Sequence, residues 1–155
     1  MLGTVMRRFR RNRPDSAPPV YQANAGRTAD ATGAARILVV DDDADLRDAI
    51  AFTLSEAGFA VGEAADGPAA LATIGAARPD LVVLDVMMPG PSGIEVCRQL
   101  REDPSTASLP VILLTARTSP AFRYAGLATG ANRHVLKPFD PADLVALVRE
   151  LLGED

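Results

Sequence analysis

Four apolar runs in this chain each end on a side chain that can handle a cation or an anion. Ile37-Leu38-Val39-Val40 stops at Asp41-Asp42-Asp43, Leu81-Val82-Val83-Leu84 at Asp85, Val111-Ile112-Leu113-Leu114 at Thr115, and Val135-Leu136 at Lys137. Lys137 is the single lysine, and the other 15 basic residues are arginine, so an ammonium at this place calls for a reason. Taken alone, each residue is ordinary: acids cap helices through unpaired amides and the helix dipole, and a Thr or Lys in a loop is common. Taken together they are not, because clustered carboxylates repel and raise one another's pKa unless a cation lies among them. A hard divalent ion with oxygen ligands, Mg²⁺ above all, meets that need. Such an ion attracts phosphate, for which Thr115 supplies a donor and Lys137 a point charge suited to one oxygen. An aspartate can itself act as a nucleophile and become an acyl phosphate, and Asp85, at the tip of the central run, is the best placed to do so.

These residues lie far apart in sequence, so the elements between them must bring them together. Apolar runs alternate with helical patterns from residue 37 onward, the signature of βαβ units and a parallel sheet. Leu46, Ile50 and Leu54 repeat at four-residue spacing and Gly58 supplies a stop, which predicts a helix over about 44–57. Phe59 to Ala64 reads as a second strand, and Ala69 to Ile74 as a short helix ending before Arg78-Pro79. Residues 80–84 form the third strand, and Ser92 caps a helix running to about Glu102. A fourth strand over 111–114 is followed by a helix from Ser119-Pro120 to Gly130, a short fifth strand at Val135-Leu136, and a last helix starting at Asp140-Pro141. That last helix turns Leu144, Leu147, Val148 and Leu151 inward. Five strands and five helices alternate. Right-handed crossovers then place helices on both faces and gather the carboxyl ends of the strands, with Asp42, Asp85, Thr115 and Lys137, at one rim.

Residues 1–36 differ from the rest. They hold seven arginines against Asp15 and Asp30, a net +5, whereas residues 37–155 carry a net −9. Arg7, Arg8, Arg10, Arg11 and Arg13 are followed by Pro14, Pro18 and Pro19 and by small polar residues, with few large apolar side chains. Such a composition cannot offset its ordering entropy, so this basic, Pro- and Ala-rich extension is expected to be disordered. No apolar stretch follows Arg13 as a signal peptide would require, and no run is long enough for a membrane span. The arginines are read as a solvated tail, and nucleic acid is not an expected partner. Cys97 is the one cysteine, which excludes an internal disulfide or a cysteine metal cluster. It shares a helical face with Ile94 and Leu100 and reads as a small buried hydrophobe. A reducing cytoplasm is the expected location.

Several pieces together resemble the receiver domains of bacterial two-component response regulators. They are Ile37 to Asp43, Leu84-Asp85-Val86-Met87-Met88-Pro89-Gly90 with Gly93 beyond, Leu114-Thr115-Ala116-Arg117, Gly126 to Ala131, and Lys137-Pro138-Phe139. The resemblance spans about 37–152 and implies a receiver domain over 37–155. Its implied architecture is a flavodoxin-like, doubly wound, five-stranded parallel sheet in the order 2-1-3-4-5 with five helices. It implies that Asp85 is the phosphoacceptor, taking phosphate from a phosphohistidine on a sensor kinase or phosphotransfer protein. Mg²⁺ would be bound by Asp42, by Asp85, by the backbone carbonyl of Met87, and by Asp41 through water. Thr115, with Ala116 beside it, would take the phosphoryl oxygens, and Lys137 would pair with Asp85. A cis bond would precede Pro138. In such domains the threonine is coupled to an aromatic side chain three residues before the lysine, here His134, the sole histidine. Asp43 is expected mainly at the start of the first helix.

The resemblance further implies a stand-alone, chemotaxis-regulator-like protein, with no output domain after Asp155, that signals to a protein partner through the face built from residues 119–152. It would be no enzyme beyond its own phosphorylation and dephosphorylation. Asn132-Arg133 stands where dimerising relatives carry an acidic pair, which argues against their charge-paired dimer. Two other readings remain. Asp41-x-Asp43 after a strand is similar to haloacid dehalogenase phosphatases, in which Asp41 would be the nucleophile, although Asp45 departs from their pattern. Alternatively, the domain is a passive scaffold and the basic tail binds nucleic acid.

Overall fold

The computed structural model describes residues 20–22, 33–116 and 130–154 of the chain. Five strands form one parallel sheet: β1 (Arg36–Val40), β2 (Ala60–Ala64), β3 (Leu81–Asp85), β4 (Val111–Ala116) and β5 (Arg133–Lys137). Their spatial order is β2-β1-β3-β4-β5, the order the resemblance implied. Four helices lie among the described residues: α1 (Ala44–Glu56), α2 (Gly67–Ala76), α3 (Gly93–Glu102) and α4 (Pro141–Leu152). The helix expected over 119–130 lies almost wholly outside the described residues.

Strand side chains alternate between faces, and the alternation assigns the helices. Leu38, Val40, Val82, Leu84, Val111 and Leu113 pack on one face with Ala70 and Ile74 of α2 and Val96, Cys97 and Leu100 of α3. Ile37, Val39, Leu81, Val83, Ile112 and Leu114 pack on the other with Ile50, Ala51 and Leu54 of α1 and Leu144 and Val148 of α4. With both faces covered, β1, β3 and β4 are apolar at nearly every position, as buried parallel strands are. Cys97 is fully buried in the first layer.

Short side chains fix the helix starts. Asp43 accepts from the amides of Asp45 and Leu46, Ser92 from Glu95, and Asp140 from Ala142, each satisfying a donor the first turn leaves unpaired. Asp66 does the same for α2, with a proline in its first turn, so α2 begins earlier than the apolar spacing alone predicts.

The expectation of disorder across residues 1–36 does not describe Val20–Gln22 or the start of β1. Tyr21 is buried and Gln22 bridges Val61 in antiparallel fashion. Composition treats the segment as an average and misses one aromatic that finds a slot.

Candidate functional site

β1 turns one way along the sheet to β2 and β3 lies on its other side, so the crevice outside their carboxyl ends is a topological switch point, where open α/β sheets bind ligands. Asp41 follows β1 directly, and Asp85 is the last residue of β3. Asp41, Asp42 and Asp85 each present a carboxylate oxygen, and these oxygens lie within 4.8 Å of one another. Asp41 is fully buried, Asp85 is 3% exposed, and Asp42 is open to solvent.

Lys137 ends β5 and reaches back over the rim. Its Nζ lies 3.0 Å from Asp85 Oδ1 and 3.5 Å from Asp41 Oδ2. Burial works against the ammonium's charge, but the two aspartates outweigh it and hold the lysine pKa above its ordinary value. Asp85 moves the same way for a different reason. Burial raises its carboxyl pKa and Asp41 adds to the rise, against the lowering influence of Lys137 and the Met87 amide. The Lys137–Asp85 contact is close in distance, yet Asp85 Oδ1 is not aligned with a hydrogen-bond donor, and neither is the buried Thr115 Oγ1. Three carboxylates whose oxygens gather within 4.8 Å, with an ammonium beside them, fit a divalent cation together with a phosphoryl group.

Thr115 and Ala116 lie on β4 in register with Leu136 and Lys137 of β5. Thr115 is fully buried and Ala116 partly so. His134 is in register with Leu113, two residues before Thr115, and is half-buried with its Nε2 enclosed and unpaired. Burial lowers its pKa from the ordinary histidine value, favouring the neutral ring. Met87 exposes its side chain beside the site at 58%. The Lys137–Pro138 peptide is cis. Asp43 caps α1, and its amide donates to Asp41 Oδ1 over 2.9 Å. Asp41 is thus enclosed, with one oxygen engaged by that amide and the other facing Lys137, a poor position for the nucleophile of a dehalogenase-type phosphatase.

One positioning residue, Arg47, escaped the sequence reading, and for Gly93, noted there only as part of the motif, the contact it makes was not foreseen. Arg47, in α1, donates from Nη1 to the Asp41 carbonyl over 2.7 Å and from Nε to Glu63 over 3.1 Å, fastening the loop after β1 to the end of β2. Gly93, at the start of α3, lies so close to Asp85 that a Cβ there would collide with the Asp85 carbonyl oxygen. Arg47 stands four residues after the cap and Gly93 one after Ser92, but neither spacing says what each touches.

Comparison with known proteins shows the family. Residues 37–149 match the family model described as the response regulator receiver domain. The DNA-binding response regulator MtrA of Mycolicibacterium paratuberculosis is 46% identical over 117 residues, 76% of this chain and 51% of that protein. The sensory transduction protein RegX3 of Mycobacterium bovis is 44% identical over 122 residues, 77% of this chain and 52% of that protein. The chain therefore spans about half the length of these curated relatives. A putative response regulator from Chloroflexus aurantiacus superposes with a TM-score of 0.74 at 36% identity, covering 78% of this chain and 99% of that one. The receiver domain of the sensor histidine kinase PA1611 from Pseudomonas aeruginosa has a TM-score of 0.72 at 28% identity, with the same coverages of 78% and 99%. Its structure holds a magnesium ion in the active-site cleft. Among the described residues, no helix is long and apolar enough to cross a membrane.

Proposed function

Because the chain belongs to the response regulator receiver family, we propose that Asp85 accepts a phosphoryl group from a phosphohistidine on a sensor kinase or phosphotransfer protein. A carboxylate oxygen of Asp85 forms the new bond to phosphorus, the phosphorus–nitrogen bond breaks, and the partner's imidazole leaves with the electron pair and takes up a proton. The observation that carries this reading is the setting of Asp85: nearly buried, last on the central strand, within 4.8 Å of two other carboxylates, and touched by Lys137 at 3.0 Å.

Mg²⁺ would be held by Asp42 and Asp85, by the Met87 carbonyl, and by Asp41 through water. The ion would supply charge neutralisation among the carboxylates and on the phosphoryl oxygens. Lys137, whose pKa the neighbouring aspartates Asp85 and Asp41 hold above its ordinary value against burial, presents its ammonium to the site. It offsets the negative charge that accumulates as the phosphoryl group arrives. Thr115 Oγ1, buried and without a hydrogen bond, donates to a phosphoryl oxygen, with the Ala116 amide as a second donor. Drawing Thr115 toward the phosphate opens room beside β5 for the His134 ring, which changes the face formed by β5 and α4. A protein partner reads that face. The only reactions the chain promotes are its own phosphorylation and dephosphorylation, and its place of work is the cytoplasm.

The test is to incubate the protein with Mg²⁺ and acetyl phosphate and to map the acid-labile acyl phosphate by mass spectrometry. Label is expected on Asp85 and absent from Asp85→Asn. Label that persists in that variant, or that maps to Asp41, would overturn the assignment and favour the phosphatase reading.

A further inference from the structure

β2 is an edge strand, and an edge strand presents backbone donors that invite pairing with another chain. Here that edge is occupied. The Gln22 amide donates to the Val61 carbonyl and the Val61 amide to the Gln22 carbonyl, each over 3.0 Å, the reciprocal exchange that defines one rung of an antiparallel ladder. Tyr21, next to that rung, is 3% exposed and belongs to the core layer that includes Leu38, Ala70 and Ile74. Its hydroxyl donates to the Ala77 carbonyl over 2.6 Å, and the Arg36 guanidinium lies 5.5 Å from its ring centre. The slot exists because residue 62 has no side chain. A Cβ on Gly62 would stand 3.0 Å from two carbons of the ring and 3.1 Å from the Val20 carbonyl oxygen.

We infer that the edge of β2 is a docking groove for an extended, tyrosine-bearing segment, and that its occupant is the chain's own Val20–Gln22, bound in cis. The folded unit therefore includes this segment, and the edge is closed to strand addition by a second copy. Geometry favours the intramolecular arrangement. Gln22 and Ile37 lie on either side of Val61, two strand spacings or about 10 Å apart, whereas the chain from Gln22 to Ile37 can span about 50 Å when extended. A tether of that length gives an effective concentration on the order of millimolar, which a second molecule's segment would have to exceed.

Hydrogen exchange in the full-length protein tests this directly, because the Val61 amide points away from β1 and has Gln22 as its acceptor. In the wild type, Val61 should be protected, and the protection should not change with protein concentration. In Tyr21→Ala, Val61 should exchange faster by about tenfold or more while Val83, in the sheet centre, is unchanged. Gly62→Val, which leaves the tyrosine in place but fills its slot, should give the same selective loss. Rapid exchange at Val61 in the wild type, or no change in Tyr21→Ala, would overturn the proposal. Protection that grows with concentration alongside a dimer in sedimentation velocity would overturn the cis arrangement and point to exchange of the segment between two copies.

Discussion

Asp85 and His134 are both pushed toward their neutral forms by burial, and the consequences for stability run in opposite directions. The folded-state pKa of Asp85 is raised above its ordinary 3.8, so the folded protein binds the proton more tightly than the unfolded chain. Stability falls as pH rises from 3.8 through the folded pKa. At neutral pH without metal, Asp85→Asn should therefore melt at a higher temperature than the wild type, and the gap should narrow toward pH 4. A wild type that melts higher would mean the Lys137 contact outweighs burial. The folded-state pKa of His134 is lowered from 6.5, so its contribution is present above 6.5 and lost as pH falls through the folded pKa. Replacing it, as His134→Phe, should flatten the decline in denaturation midpoint between pH 7 and 5. An unchanged slope would show that the ring is not enclosed in solution.

At the scale of elements, the site depends on how closely α3 and the end of β3 approach. Gly93 donates its amide to the Val86 carbonyl over 3.0 Å, and its Cα sits against the Asp85 backbone. Gly93→Ala must push the start of α3 or the tip of β3 outward, at a cost of about 3 kcal/mol and a drop in Tm of roughly 10 °C. Acetyl phosphate labelling of Asp85 should fall with it, and an alanine variant with native stability and labelling would refute the close approach. A second clamp holds the far end of the sheet. Arg101, near the end of α3, donates to the carbonyls of Leu109 and Gly130 and to the Asn132 side chain, and Asn132 accepts from the Val111 amide. Asn132 thus serves the entry to β4 and β5, and Arg133 pairs with Glu150 of the same chain over 2.9 Å. The two residues that stand in place of an acidic pair are both engaged within this chain.

For the whole molecule, a ligand that binds only the folded state must stabilise it. Carboxylates from the loop after β1 and from the end of β3 share the proposed Mg²⁺ site, so ion binding links two central strands. Mg²⁺ at 100 times its Kd should add about 2.7 kcal/mol, read as a rise in Tm with MgCl₂ that NaCl of equal ionic strength does not reproduce. Asp42→Ala should abolish most of that rise while leaving the metal-free Tm close to the wild type, because Asp42 is exposed and its removal takes no packing away. Equal Mg²⁺ responses in variant and wild type would place the ion elsewhere.

The apolar runs, their terminal acids, threonine and lysine, and the caps at Asp43, Ser92 and Asp140 were all legible in the sequence. Such features are local: a strand declares itself by its apolar side chains, and a cap by its spacing from the next turn. The strand order followed from the resemblance, and the expectation that Asp42, Asp85, Thr115 and Lys137 share one rim followed from the rule that crossovers share one hand. What the linear chain left open were contacts between residues remote from each other, each decided by a fit of shape. Arg47 on the Asp41 carbonyl, Gly93 against Asp85, and Tyr21 in the space above Gly62 all depend on distances that no local pattern encodes. Tyr21 is the clearest case. Beside it, composition argues only for disorder, and burial of one ring against a glycine on an edge strand makes the segment part of the fold.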